Sequence, residues 1–374
     1  MADQLLVSTR KGLFSARRQK RGASGQGAWA LEGVSFLGDN VSLTLRDPRD
    51  GAWYAALDHG HFGAKLQRSG DRGATWTEIG VPAYPTPPEG HVEKDFLGRE
   101  IPWRLIRFWS LVPGLASQPG LLWAGTLPGG LFWSEDRGDS WHLVEALWNH
   151  PDRRKWAGGG ADAPGIHSIC VDPRDGDRVA VAVSSGGVWI TLDRGRTWSA
   201  HTAGMRADYA PPELVFAPES QDPHRMVQCP GAPDSWWVQH HNGIFRSTDN
   251  ARTWTELKDV EPSSFGFPVV VHPKDPLTAW FVPAIKDERR IPAEGRVVVN
   301  RTRDGGRSFE TLHKGLPQAW AYDLVYRHAL DLDASGERLA FGSTTGSVWI
   351  SEDGGDSWLT LAEHLPPVHA VAFV

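Results

Sequence analysis

Short apolar runs bounded by Gly, Pro, Asp and Ser recur along the whole chain. IHSICV (166–171), RVAVAVS (178–184) and VWITL (188–192) are typical. Alternating, β-branched runs of this length predict strands rather than helices. The runs group in fours, labelled A to D. In one group, IHSICV is A, the turn DPRDGD leads to RVAVAVS as B, SGG leads to VWITL as C, and TWSA (197–200) is D. A second group repeats the order with VSLTL (41–45), DPRDG and AWYAAL (52–57). A third has LVYRHAL (324–330) as A, DLDASGE as turn, then RLAFGS (338–343) and SVWIS (347–351).

Between C and D a turn motif returns six times: SGDRGATW (69–76), SEDRGDSW (134–141), TLDRGRTW (191–198), STDNARTW (247–254), TRDGGRSF (302–309) and SEDGGDSW (351–358). The Asp markers are 65, 57, 56, 55 and 49 residues apart. Such a period suits a four-stranded propeller blade with its connections. Asp and the hydroxyl residues can bond turn amides, and Gly permits positive φ. Ala251 stands at the Gly position of the fourth copy and Phe309 at the Trp position of the fifth.

The termini complete the count. LLVSTRKGLFSARR (5–18) and WALEG (29–33) read as B, C and D without an A. VHAVAFV (368–374) reads as an A without a B. The expected fold is all-β, a single seven-bladed β-propeller over residues 1–374, in which the last strand completes the first blade and removes exposed sheet edges.

The six turns resemble the Asp-box (BNR) repeats of sialidase-like propellers of the glycosyl hydrolase superfamily. That resemblance spans nearly the whole chain. It implies a carbohydrate-active enzyme with an arginine cluster for a substrate carboxylate, an Asp acid/base and a Tyr–Glu nucleophile. The matching parts here are Arg10, Arg206 and Arg225, then Asp162 or Asp208, then Tyr209 with Glu213. The chain departs from sialidases in having seven blades. Its Arg290-Ile291-Pro292 also lies in a late insertion instead of an early strand.

Topology narrows where a site can lie. A–B and C–D turns share one face, so the Asp turns mark it. B–C turns and D–A connections share the other. The long segments 80–107, 145–165, 202–225 and the B–C insertion 283–295 all fall on that second face. Loops of this length are commonly functional. A-strand starts there supply Trp109, Ser110, His167, His224, Arg225, Tyr322, Asp323 and His369. B–C turns supply Arg10, Lys11, His59, His61, His240, His241 and Asn242. From this ring the catalytic candidates are Asp162, Asp208, Tyr209, Glu213 and His167. The substrate-binding candidates are Arg10, Lys11, His61, Arg206, His224, Arg225, His240, Asp323 and His369.

Three functions remain open. One is glycoside chemistry. Another is a divalent metal on His61, His167 and His240, with His369 nearby, since neutral imidazoles suit Zn, Cu, Fe or Ni. The two neighbours His240 and His241 cannot both point inward from a regular strand. The third is a non-catalytic binding scaffold whose sugar or peptide surface includes Trp103, Trp109, Trp148 and Trp156.

Charge and cysteine content trim the partners. The formal net charge is −6, which argues against nucleic acid, and the expected ligand is a small molecule or carbohydrate. Only Cys170 and Cys229 are present, too few for a disulfide scaffold. The N-terminus lacks a basic segment followed by an apolar run, and no stretch of about 18 apolar residues occurs. The expectation is a soluble cytoplasmic protein without a membrane partner.

Overall fold

The computed structural model describes residues 1–19, 29–95, 98–158 and 163–374. Seven four-stranded antiparallel sheets follow one another around a central channel, with almost no helix. The innermost strands are Val41–Arg46, Arg107–Pro113, Ile166–Val171, Pro223–Gln228, Gly266–Val271 and Leu330–Leu332 for blades two to seven. Blade one takes Val368–Phe373 as its innermost strand, paired with Gln4–Thr9. The ring is thus closed by the two chain ends, as the sequence pattern predicts. Side chains support that latch. The Ala2 amide donates to Asp333 Oδ2 at 3.0 Å, and Arg338 pairs with Asp3 at 2.9 Å. One apolar cluster runs through blades six, seven and one, joining Trp280, Val299, Phe341, Trp349, Leu5, Val7 and Val368.

The six Asp turns share one bonding scheme. In the first, Ser69 Oγ donates to Asp71 Oδ1 at 2.8 Å and accepts the Gly73 amide at 2.8 Å. Asp71 also accepts from the Thr75 amide at 2.9 Å and the Thr75 hydroxyl at 2.6 Å. The corresponding bonds hold the turns at Asp136, Asp193, Asp249, Asp304 and Asp353. These hydrogen bonds, led by the Thr75 hydroxyl, bring the Asp71 carboxyl down to about 2. The copy without Gly keeps the same backbone. Ala251 sits at φ 59°, where the glycines of the other copies sit between 84° and 96°. A residue with a Cβ has settled nearer the centre of the left-handed well.

One residue at the head of the innermost strand escapes pairing in six blades. The register slips by one at Ser42, Trp109, His167, His224 and His369, and by a comparable step at Phe267–Pro268. A bulge of this kind re-aims the extra side chain and bends the strand. Here each bulge lies at the end of the channel on the face opposite the Asp turns.

Blade seven differs from the sequence reading. Its innermost strand is Leu330–Leu332, not 324–330. The segment before it is irregular, meeting the sheet through a parallel bridge between His328 and Ala370 and through the Gly342 amide, which donates to the Ala329 carbonyl at 2.9 Å. Residues 313–329 are therefore a fifth long connection on the mouth face.

Blades approach closely where Gly204 meets the next Asp turn. Gly204 has φ +92°, and a Cβ there would lie 2.1 Å from the Trp254 carbonyl oxygen. The Trp254 amide also donates to the Ala203 carbonyl at 2.8 Å, so neither backbone can retreat freely. Gly204→Ala should cost about 2–4 kcal/mol, from left-handed strain plus overpacking. Urea unfolding measures this, and an unchanged midpoint would contradict the inter-blade joint.

Candidate functional site at the channel mouth

The bulges bring Ser42, Trp109 and His369 together at one end of the channel. Arg107 joins them from the head of its strand, and the irregular segment of blade seven supplies Tyr326, Arg327 and His328. These seven residues line a cavity of 230 Å³. Arg107 is held by Asp58 Oδ2 at 2.7 and 3.0 Å. Arg327 lies over Trp109 and Phe267, with its guanidinium carbon 5.0 and 5.4 Å from the ring centres. Burial pushes it down to about 10, so it stays a cation at neutral pH. His369 Nε2 faces Asn40 Oδ1 at 2.9 Å, and burial pushes that imidazole down to about 4. Burial also drives His328 well below the usual histidine range. The walls are thus neutral imidazoles, aromatic rings and arginine cations, and among the described residues no carboxylate lines the cavity.

Beneath the mouth, Arg225 spans the channel. It donates to the His167 carbonyl at 3.2 Å and lies 2.9 Å from His328 Nδ1. Arg225, His328 and Asp331 share a second cavity of 220 Å³, otherwise lined mostly by apolar side chains. Burial raises the Asp331 carboxyl to about 6, against the pull of the Phe373 and Leu332 amides and of Arg225.

The sequence candidates divide sharply. Asp162 lies outside the described residues. Arg10 and Lys11 are exposed on the blade-one turn beside the mouth, and His61 is exposed on a short 3-10 turn. Arg206 is not open to a substrate carboxylate. It clamps Glu256 at 2.7 and 2.9 Å and pairs with Asp208. The Tyr–Glu pair does not form as an acid-polarised nucleophile, because the Tyr209 hydroxyl donates to the Ser220 carbonyl at 2.5 Å while Glu213 is exposed on its own 3-10 turn. His167 is buried, with Nδ1 3.0 Å from Ser168 Oγ and its ring edge-on to Trp109. His240 is structural: its Nε2 and Nδ1 face the Asp222 and Asn242 amides at 3.0 and 3.1 Å. Asp323 is bound by the Ser343 and Thr345 hydroxyls of the neighbouring turn. Arg225 and His369 do face the channel.

The metal set His61, His167, His240 and His369 does not converge. Among the described residues, the grouping within reach of one ion is Asp222, His224 and His241, whose ligand atoms lie within 4.8 Å of one another. Of the neighbouring histidines, His241 therefore turns toward the site and His240 away. The aromatic surface also shifts. Trp148 and Trp156 are buried, and Trp103 packs on Trp148 while donating to Glu93 at 2.7 Å. Among the described residues, the exposed aromatics of the mouth face are Phe62, Tyr209, Phe216, Trp320 and Tyr322.

Sequence reasoning missed Ser42, Arg107, Asp222, Tyr326, Arg327 and His328. Reading 324–330 as a regular strand hid the last three, although adjacent Arg and His in an apolar run are themselves a warning. Asp222 looked like loop material beside Pro223, yet it sits two residues from His224.

Comparison with known proteins agrees with the fold. No protein-family model matches the chain. An oligoxyloglucan-reducing end-specific xyloglucanase of Emericella nidulans is 26% identical over 259 residues, covering 63% of this chain and 30% of that protein. A probable oligoxyloglucan-reducing end-specific xyloglucanase of Neosartorya fischeri is 26% identical over 324 residues, covering 78% and 35%. The chain therefore spans about a third of the length of these curated relatives. An ancestral GH74 enzyme superposes with a TM-score of 0.59 at 14% identity, over 85% of this chain and 38% of that one. YCF48 from Cyanidioschyzon merolae gives 0.52 at 12% identity, over 86% and 84%. In architecture the chain is a propeller like those of GH74 enzymes.

Asp331 gives a pH test of the channel. Its folded-state value lies above the ordinary 3.8, so its favourable contribution is present in acid and is lost as pH rises through about 6. Asp331→Asn keeps an acceptor for the Phe373 amide. It should gain roughly 2–3 kcal/mol over the parent at about pH 8 and nothing at about pH 3.5. Urea unfolding at both pH values reads this; an equal gain at both would contradict a buried, protonated carboxyl.

Proposed function

We propose that the protein is a carbohydrate-binding propeller of the glycoside hydrolase-like kind, whose mouth pocket takes one acidic sugar unit. The observation that carries this reading is the lining of the 230 Å³ cavity by Arg107, Arg327, Trp109, Tyr326, Ser42 and two neutral histidines, with no carboxylate among the described residues that line it. Ligand sites for drug-sized molecules run to about 300–1,000 Å³, so a smaller pocket suits a single ring. A buried arginine cation favours a carboxylate on that ring. Ser42, Tyr326 and the imidazoles supply hydroxyl partners, and exposed Phe62, Phe216, Trp320 and Tyr322 offer apolar faces to a longer glycan.

Hydrolysis by a carboxylate pair is not what the pocket favours. Glycosidases place two carboxyl groups about 5–10 Å apart across the scissile bond. Here Asp58 is committed to Arg107, and Asp222 is shut in with His224 and His241. The six Asp turns and their shared bonding support assignment to the Asp-box (BNR) type. Two free thiols, Cys170 and Cys229, are in keeping with a cytoplasmic setting.

Titration of the intact protein with glucuronate, glucose and xyloglucan oligosaccharides, followed by calorimetry, tests the reading. Glucuronate should bind more tightly than glucose. Arg327→Gln should weaken glucuronate by about tenfold or more, since a charge-assisted bond contributes about 1.5–3 kcal/mol. Equal binding of the two sugars, or release of new reducing ends from xyloglucan, would overturn it.

A further inference from the structure

We propose that Asp222, His224 and His241 form a binding site for a divalent first-row transition cation. The site stands apart from the sugar pocket and does not rest on that reading. All three ligands come from blade five. Asp222 and His224 head its innermost strand, and His241 lies in the turn before its third strand, Gly243–Ser247. Asp222 Oδ2 is 3.4 Å from His241 Nδ1 and 3.6 Å from His224 Nε2. The backbone pins the arrangement, because the His241 amide donates to the Asp222 carbonyl at 2.9 Å and the Asp222 amide faces His240 Nε2 at 3.0 Å.

The tautomer of His224 carries the argument. Its Nδ1 lies 2.6 Å from the Gly266 carbonyl oxygen. A carbonyl can only accept, so Nδ1 holds the proton. Nε2 then presents a lone pair to a carboxylate that is itself buried, with Asp222 4% and His224 2% exposed. Two electron-pair donors facing each other out of water need a cation between them.

The surroundings match a metal ligand set. A ligating histidine ordinarily donates its other ring N–H to a backbone carbonyl or carboxylate, which fixes ring and tautomer. His224 does so, and its ring lies flat on Phe267, 4.6 Å away at 13°. His241 is held by Tyr209 and Phe265, with ring centres 4.6 and 5.8 Å away. Two imidazoles and one carboxylate suit Zn²⁺ or Fe²⁺ and leave coordination positions for water or a ligand. His241 is 24% exposed and gives the ion a path from solvent.

The test uses the full chain, stripped with a chelator and titrated with Zn²⁺ by calorimetry and with Co²⁺ by visible absorption. One Zn²⁺ should bind per chain, and Co²⁺ should give ligand-field bands of a mixed nitrogen and oxygen site. Asp222→Asn and His241→Ala should each weaken Zn²⁺ by about 100-fold or more, beyond what loss of an outer-shell partner does. His364→Ala, on the exposed surface, should leave it unchanged. If Asp222→Asn fails to fold, His241→Ala in its partly exposed turn still decides the matter, with its fold checked by near-ultraviolet circular dichroism. No Zn²⁺ binding by the parent chain, or binding unchanged in His241→Ala, would overturn the proposal and leave a proton-linked Asp–His cluster.

Discussion

Pairing of the last strand with the first is the constraint on which the molecule depends. A propeller blade alone leaves edges unpaired and an apolar face uncovered. Here Val368–Phe373 lies against Gln4–Thr9 on one side and blade seven on the other, and the Val371 amide donates to the His328 carbonyl at 3.0 Å. The same strand carries His369 into the mouth and bonds Asp331 through the Phe373 amide at 2.8 Å. Closing the ring therefore also assembles the mouth, because residues from blades one, two, three and seven meet only when the circle is complete.

Within the closed ring, the bulges decide which side chains look into the channel. A regular strand would send alternate residues to opposite faces. The slip at the head of six innermost strands frees residues from that rule, among them Ser42, Trp109, His167, His224 and His369. Two of them line the mouth cavity beside His369, His167 supports Trp109, and His224 belongs to the cluster with Asp222 and His241.

The architecture could be read in the sequence because its signals are local. Six Asp turns mark the C–D corners, and apolar runs at each end announce the shared blade. The placement of long connections on one face follows from strand order alone. The site was far less readable. Arg225 and His369 lie at the channel. Arg206, Tyr209 and Glu213 were not usable as assigned, because Glu256 and the Ser220 carbonyl take up the first two and Glu213 faces solvent. Ion pairs between distant residues leave no trace in spacing. Arg327 and His328 were hidden by a bend that breaks a strand-like run, and Asp222 by the proline that follows it.

Two chemistries thus sit side by side. Arginines and neutral imidazoles fill the mouth, and a carboxylate with two imidazoles lies behind Phe267, which stacks on His224 and also faces Arg327. The mouth depends on the latch staying shut. Native-state hydrogen exchange across Val368–Phe373 measures that most directly. The account predicts that these amides exchange only through global unfolding, in step with those of Leu5–Val7. Exchange as fast as that of the outer strand Trp29–Ser35 would show an open ring and contradict it.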